Sequence, residues 1–156
     1  MEFRPLKNTY NIPGIELLPH RPPFLFVDNL IAADETGALG EYTFTMEKND
    51  FFKGHFPDFP IVPGVVLIET MAQVHGAGLI ATKFLGENAS FLFAKVEEAK
   101  FKRPVRPGDK LTVFSEAVKV KKLGHDKGIG VFAAKGYVGD ELAVEGTLTC
   151  MLGGTN

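Results

Sequence analysis

The chain has 156 residues, of which 45% are hydrophobic and 23% charged, with a formal net charge of −2. That length and apolar content suit a single domain spanning 1–156 with a real core, and they exclude a disordered chain. The near-neutral balance argues against a nucleic-acid-binding role, and the one cysteine, Cys150, excludes an internal disulfide and a cysteine-cluster metal site.

Residues 1–12 read as irregular, and 14–18 as one helical turn before Pro19. His20-Arg21-Pro22-Pro23 is a stiff extended connector. Residues 24–33 read as a strand, Asp34-Glu35-Thr36-Gly37 as its turn, and 38–46 as the paired strand. A loop rich in Phe and Pro follows over 47–62. Pro63 suits the first turn of a helix, where its missing N–H does no harm; the helix is expected to run to about residue 84 and stop at Gly86. Strands are expected over 89–101, 111–120, 129–138 and 142–152, with the tight Gly139-Asp140 turn between the last two. Two strands, one helix and four more strands predict an α+β fold, an antiparallel sheet curled around one apolar helix.

Between residues 65 and 81 the only ionisable acid is Glu69, in a run apolar on every side, as in a helix buried all round. A carboxyl there needs a partner, because taking its charge out of water costs several kcal/mol or raises its pKa. His55 stands upstream, held in a Gly54-His55-Phe56-Pro57 turn. Such a pair can perform general acid–base chemistry, or it can be a hydrogen-bonded pair within the core. Pro63-Gly64 offers free backbone N–H groups at the positive end of the helix, able to polarise a carbonyl. Gln73 lies one turn beyond Glu69 on the same face and can orient it.

His75 points about 240° away from Glu69 around the helix and reads as a structural or interface residue. Gly128-Ile129-Gly130-Val131-Phe132-Ala133 fits a dinucleotide-binding pattern but lies inside a strand-like run and opens no helix. Lys100, Lys102, Arg103, Arg106 and Lys110 form a basic cluster, a solvated face or the receiver of an acidic partner. The apolar stretch 61–81 carries Glu69, Gln73 and His75, so no membrane span is expected. With no secretory leader visible, the expected location is cytoplasmic.

Leu18-Pro19-His20-Arg21, Pro23-Phe24-Leu25, Val27-Asp28, Gly54-His55-Phe56-Pro57 and Pro60-Ile61 follow one another in a family order. Pro63-Gly64-Val65, Glu69-Thr70-Met71-Ala72-Gln73, Phe101-Lys102-Arg103-Pro104-Val105 and Pro107-Gly108-Asp109 continue it. Together they resemble the FabZ-type 3-hydroxyacyl-acyl-carrier-protein dehydratases. The resemblance implies a hot-dog fold and dehydration of 3-hydroxyacyl thioesters to trans-2-enoyl thioesters in fatty-acid biosynthesis. It implies His55 as base, Glu69 as acid, the Gly64 N–H on the thioester carbonyl, and Val65 and Phe59 beside the substrate. No cofactor or metal is implied. The expected partners are the acyl carrier protein, met by Lys100, Lys102, Arg103 and Arg106, and a second subunit in a homodimer with shared sites, possible also as a trimer of dimers. Relatives that also isomerise the double bond carry Asp at the acid position, so Glu69 favours dehydration alone. Asp58-Phe59 and Lys95 depart from the usual pattern and leave chain length and pathway open, a specialised acyl pathway included. A non-catalytic acyl-binding module and an acyl thioesterase are the alternatives.

Overall fold

The structure, a computed structural model, describes residues 2–84, 89–124 and 127–154. Its elements are β1 (Asn8–Pro13), α1 (Gly14–Leu17), β2 (Asn29–Asp34), β3 (Gly37–Thr43), a 3-10 turn at Asp50–Lys53, α2 (Gly64–Ala81), β4 (Ala89–Phe101), β5 (Lys110–Lys122), β6 (Lys127–Val138) and β7 (Glu141–Gly154). The seven strands form one sheet in the order β1-β2-β3-β5-β6-β7-β4, with antiparallel pairing throughout.

Helix α2 packs against this sheet. Val66, Leu67, Met71, Ala72, Val74 and Ala77 are buried, and so are Thr70, Gln73 and His75. Each of those polar side chains has a partner, as burial demands. Thr70 Oγ1 donates to Val66 O at 2.7 Å. His75 Nδ1 lies 2.7 Å from Ser115 Oγ on β5, and its ring stacks on Phe132 of β6 at 4.1 Å. This matches its sequence reading as a structural residue. Among the described residues α2 is the one helix long and apolar enough to cross a membrane, and most of it is buried inside the protein.

Three expectations need correction. The segment 1–12 contains β1, which pairs with β2 through Asn8↔Ala33 and Ile12↔Leu30. Residues 24–28 are not part of the second strand, which begins at Asn29. Their backbone is engaged by a side chain of α2 and, at Asp28, by Glu41 O at 2.8 Å. The helix ends at Ala81, capped by Thr82, whose Oγ1 donates to Gly78 O at 2.8 Å; Gly86 lies outside the described residues.

The loop after β3 is pinned from below by aromatic rings. Phe26, Phe44 and Phe52 are almost fully buried. Phe26 meets Tyr42 at 5.7 Å, Tyr42 meets Phe44 at 4.8 Å, and Phe51 meets Phe52 at 4.8 Å. Ring pairs at these separations add about 0.5–1.5 kcal/mol each beyond their burial. The loop that follows is thereby fixed in place.

Candidate active site

That loop carries His55. Its backbone is clamped on both sides: His55 N–H donates to Phe51 O at 3.0 Å, and Ile61 N–H donates to His55 O at 2.9 Å. The His55 ring is half-buried, and Nδ1 lies 3.0 Å from Ile61 O. A carbonyl can only accept, so Nδ1 carries the hydrogen and Nε2 keeps its lone pair. That leaves one nitrogen free to take a proton.

The ring opens into a groove lined by Ile61, Val62, Gly64, Leu67, Phe101 and the segment 102–105. Gly64 starts α2, and its N–H has no backbone acceptor among the described residues, whereas Val66 N–H already reaches Pro63 O. Phe101 closes over this point. A Cβ on Gly64 would stand 2.8 Å from the Phe101 ring, so the residue must be small for the ring and helix start to approach. The groove thus holds a free proton acceptor and a free N–H donor at the positive end of a helix.

Glu69 faces a different neighbourhood. Its side chain is 15% exposed, and its Oε2 accepts from Gln73 Nε2 at 2.7 Å. Gln73 is itself locked, donating to Phe24 O at 3.1 Å and accepting from Phe26 N–H at 2.7 Å. Burial pushes the Glu69 carboxyl above the usual carboxylate range, and the Gln73 hydrogen bond offsets part of that rise. The thiol of Cys150, on β7, is pushed up to about 12 by burial and by the Glu69 charge. His20 completes the surroundings, with Nε2 3.6 Å from Glu69 Oε2. Among the described residues no contact joins Glu69 to His55 of the same chain.

The remaining residues singled out in the sequence differ in exposure and in pairing. Val65 is the most exposed large hydrophobic residue among those described, at 74%. Phe59 is exposed and lies under the Arg106 guanidinium, 5.3 Å from its ring centre. Lys100 and Lys102 are exposed and make no ion pair among the described residues. Arg103 differs: it pairs with Asp109 at 3.2 Å and with Glu141 at 3.6 Å. Lys110 pairs with Glu41 at 3.3 Å. His20 is the residue that sequence reasoning passed over. It stood in the quoted Leu18-Pro19-His20-Arg21 motif with no role attached, and only the fold brings it to Glu69.

Residues 18–147 match the FabA-like domain family. The chain is 39% identical over 142 residues to the 3-hydroxyacyl-[acyl-carrier-protein] dehydratase FabZ of Variovorax paradoxus, spanning 88% of this chain and 90% of that protein. It is 40% identical over 149 residues to the FabZ of Albidiferax ferrireducens, spanning 92% and 95%. The chain belongs to the FabA-like family, among its FabZ-type dehydratases. Its fold is that of the dehydratase heterocomplex ApeI:P from Xenorhabdus doucetiae, with a TM-score of 0.73 at 18% identity over 94% of this chain and 93% of that one. A structure from Pyrococcus horikoshii shares the same hot-dog architecture, with a TM-score of 0.54 at 21% identity over 86% of this chain and 93% of that one. The antiparallel sheet around α2 is this FabZ-type chain's version of that fold.

Proposed function

We propose that this chain removes water from 3-hydroxyacyl thioesters of the acyl carrier protein, in fatty-acid biosynthesis, at sites pairing His55 of one subunit with Glu69 of another. The observation that carries the reading is the commitment of His55 Nδ1 to Ile61 O, which leaves Nε2 as a base beside the open Gly64 N–H. Glu69 supplies the opposite property, a carboxyl that burial keeps inclined to hold its proton.

In this mechanism His55 Nε2 takes a proton from C2 of the substrate, and the C–H electrons move toward the carbonyl. The Gly64 N–H holds the thioester oxygen as it gains charge, with Val65 and Phe59 flanking the entering substrate. The C3–O bond then breaks as Glu69 gives its proton to the departing hydroxyl, which leaves as water. The C2=C3 double bond results. Return of one proton from His55 to Glu69, directly or through water, restores both groups.

Two subunits are invoked because the chain leaves an apolar border open. Strand β4 is a sheet edge, and Leu92, Phe93, Val96 and Phe101 along it are exposed, as is Val65 on the adjoining helix start. An edge strand with exposed apolar side chains is a template for pairing with another chain. A second copy seated there would bring a partner subunit toward the groove of His55. Three such dimers would give a trimer of dimers, which the resemblance allows beside the dimer. Lys100 and Lys102, with Arg106, form the basic approach for the acidic carrier protein; Arg103 serves mainly to brace the turn at Asp109. A chain with one cysteine and so no internal disulfide fits a reducing cytoplasmic setting.

The test is to incubate the protein with a 3-hydroxyacyl-carrier-protein thioester and follow the conjugated enoyl thioester by absorbance and mass. Release of carrier thiol and 3-hydroxy acid with no enoyl product would overturn the reading in favour of thioester hydrolysis.

A further inference from the structure

Glu69 presents two oxygens, and they are not equivalent. Oε2 receives Gln73 Nε2 at 2.7 Å and faces His20 Nε2 at 3.6 Å. Oε1 has no hydrogen bond among the described residues. His20 Nδ1 is buried and unpartnered.

That orphaned nitrogen decides the His20 tautomer. Burial lowers the proton affinity of the ring, so it is neutral at neutral pH and carries one hydrogen. A hydrogen on Nδ1 would be a buried, unpaired donor, and Nε2 would aim a lone pair at a carboxylate oxygen. A hydrogen on Nε2 leaves only an unpaired acceptor and points the donor at Oε2. Unpaired buried N–H groups are rarer than unpaired acceptors, and lone pairs facing one another repel. The second tautomer is the favoured one. The ring is held by Phe91, at 5.4 Å between centres. Phe91 in turn lies against Gly76 of α2 so closely that a Cβ there would come within 2.1 Å of its ring.

We propose that His20 is a positioning residue for the acid: its Nε2–H and the Gln73 amide both donate to Oε2, so the transferable proton of Glu69 resides on Oε1. This rests on Glu69 being the acid of the dehydration. Oε2 has two donors and no room for a hydrogen of its own. As the Oε1–H bond breaks and negative charge grows on the carboxyl, both donors stabilise it without having to move far. The 3.6 Å separation is longer than a finished hydrogen bond, as catalytic contacts without substrate often are. The titratable groups facing Glu69 among the described residues are His20, from the connector between α1 and β2, and Cys150, from β7. The neighbouring Arg21 guanidinium is turned to Leu18 O and His20 O.

The experiment compares His20→Phe, which keeps a ring against Phe91 and loses the donor, with His20→Gln, whose amide N–H reaches near the place of Nε2. Both are assayed on the carrier-linked 3-hydroxyacyl substrate across pH, beside Glu69→Gln, with folding checked by circular dichroism. His20→Phe is expected to lower kcat about tenfold with KM nearly unchanged. The basic limb of kcat/KM, where Glu69 loses its proton, is expected to move up by roughly half to one pH unit, because the carboxylate has lost a donor. His20→Gln should recover most of both. A basic limb that moves down would mean that His20 accepts the Glu69 proton, and would overturn the proposal. So would an unmoved limb, whether or not kcat falls, since a structural loss leaves the limb in place. Should His20→Phe fail to fold, His20→Met makes the same comparison. An active Glu69→Gln protein would remove the acid assignment itself, whereas an inactive one beside a wild-type-like His20→Phe would remove only the role of His20.

Discussion

Replacing Gln73 by Met tests whether one amide both supports the fold and sets the acid. Met is unbranched and of similar length, so the change leaves little cavity and mainly removes hydrogen bonds. Gln73 is 0% exposed, and its Oε1 is the acceptor for Phe26 N–H at 2.7 Å in a buried place. Orphaning that N–H costs about 1–3 kcal/mol. Losing the donor to Glu69 Oε2 adds about 1 kcal/mol, and the Phe24 carbonyl, on an exposed residue, can turn to water at little cost. The expected loss is therefore about 2–4 kcal/mol. Urea unfolding followed by circular dichroism measures it, at one fixed protomer concentration because assembly shifts apparent stability. Removal of the same donor should also lift the basic limb of the pH–rate profile, since the Gln73 bond works against the rise in the Glu69 pKa. A destabilisation below about 0.5 kcal/mol would refute the reasoning, because it would mean that Phe26 N–H finds another acceptor.

Mixing His55→Ala and Glu69→Gln proteins under subunit exchange should restore up to about a quarter of wild-type activity, since half of the dimers are mixed and each holds one intact site. No recovery, with exchange confirmed by mass spectrometry, would place both groups in one chain. His75 is buried neutral, with its pKa pushed down from 6.5 to about 4. The unfolded chain takes up that proton first as pH falls, so stability present above 6.5 is lost on the way down to 4, about 2 kcal/mol of it between pH 7 and pH 5. Urea midpoints of wild type and His75→Gln at the two pH values check this, and an equal acid loss in both would contradict it. Lys100→Glu with Lys102→Glu should raise KM for carrier-linked substrate at low salt and leave a short thioester surrogate unaffected. Equal losses on both substrates would show that these lysines support the site and not the carrier.

Much of this architecture was legible in the sequence because its signals are local. Pro63-Gly64 followed by a largely apolar or small run over 65–81, broken by Glu69, marks α2, and Gly139-Asp140 between alternating runs marks the β6–β7 hairpin. Strand β1 was hard to read because it sits at a sheet edge and its alternation is short, only Tyr10 and Ile12 among polar neighbours and ending at Pro13. Residues 24–28 misled for the opposite reason. Phe24, Phe26 and Val27 look strand-like, yet the backbone of Phe24 and Phe26 answers to Gln73, forty-seven positions from Phe26. At the site, the Gly54-His55-Phe56-Pro57 turn and the lone acid on an apolar helix drew the eye, since each breaks the rule of its surroundings. His20 broke no local rule. A histidine before Arg21-Pro22-Pro23 reads as connector, and its approach to Glu69 exists only when α2 packs beneath that connector. The same holds for Arg103, whose charge counted toward a patch until Asp109 and Glu141 were found on it.

Cys150 lies on β7 between two neighbours, registered with Phe93 on β4 and Gly130 on β6, and is 1% exposed. A thiol so enclosed, with a pKa near 12, presents almost no thiolate to a reagent while the sheet is closed. Alkylation must wait for an opening that uncovers the core face of β7, where Cys150 lies in one cluster with residues of α2. The labelling rate is therefore a clock for opening of that core, readable by mass and free of interference from any second thiol. A second subunit on β4 would slow the clock, and its dependence on protein concentration would report assembly without a probe being added to the chain.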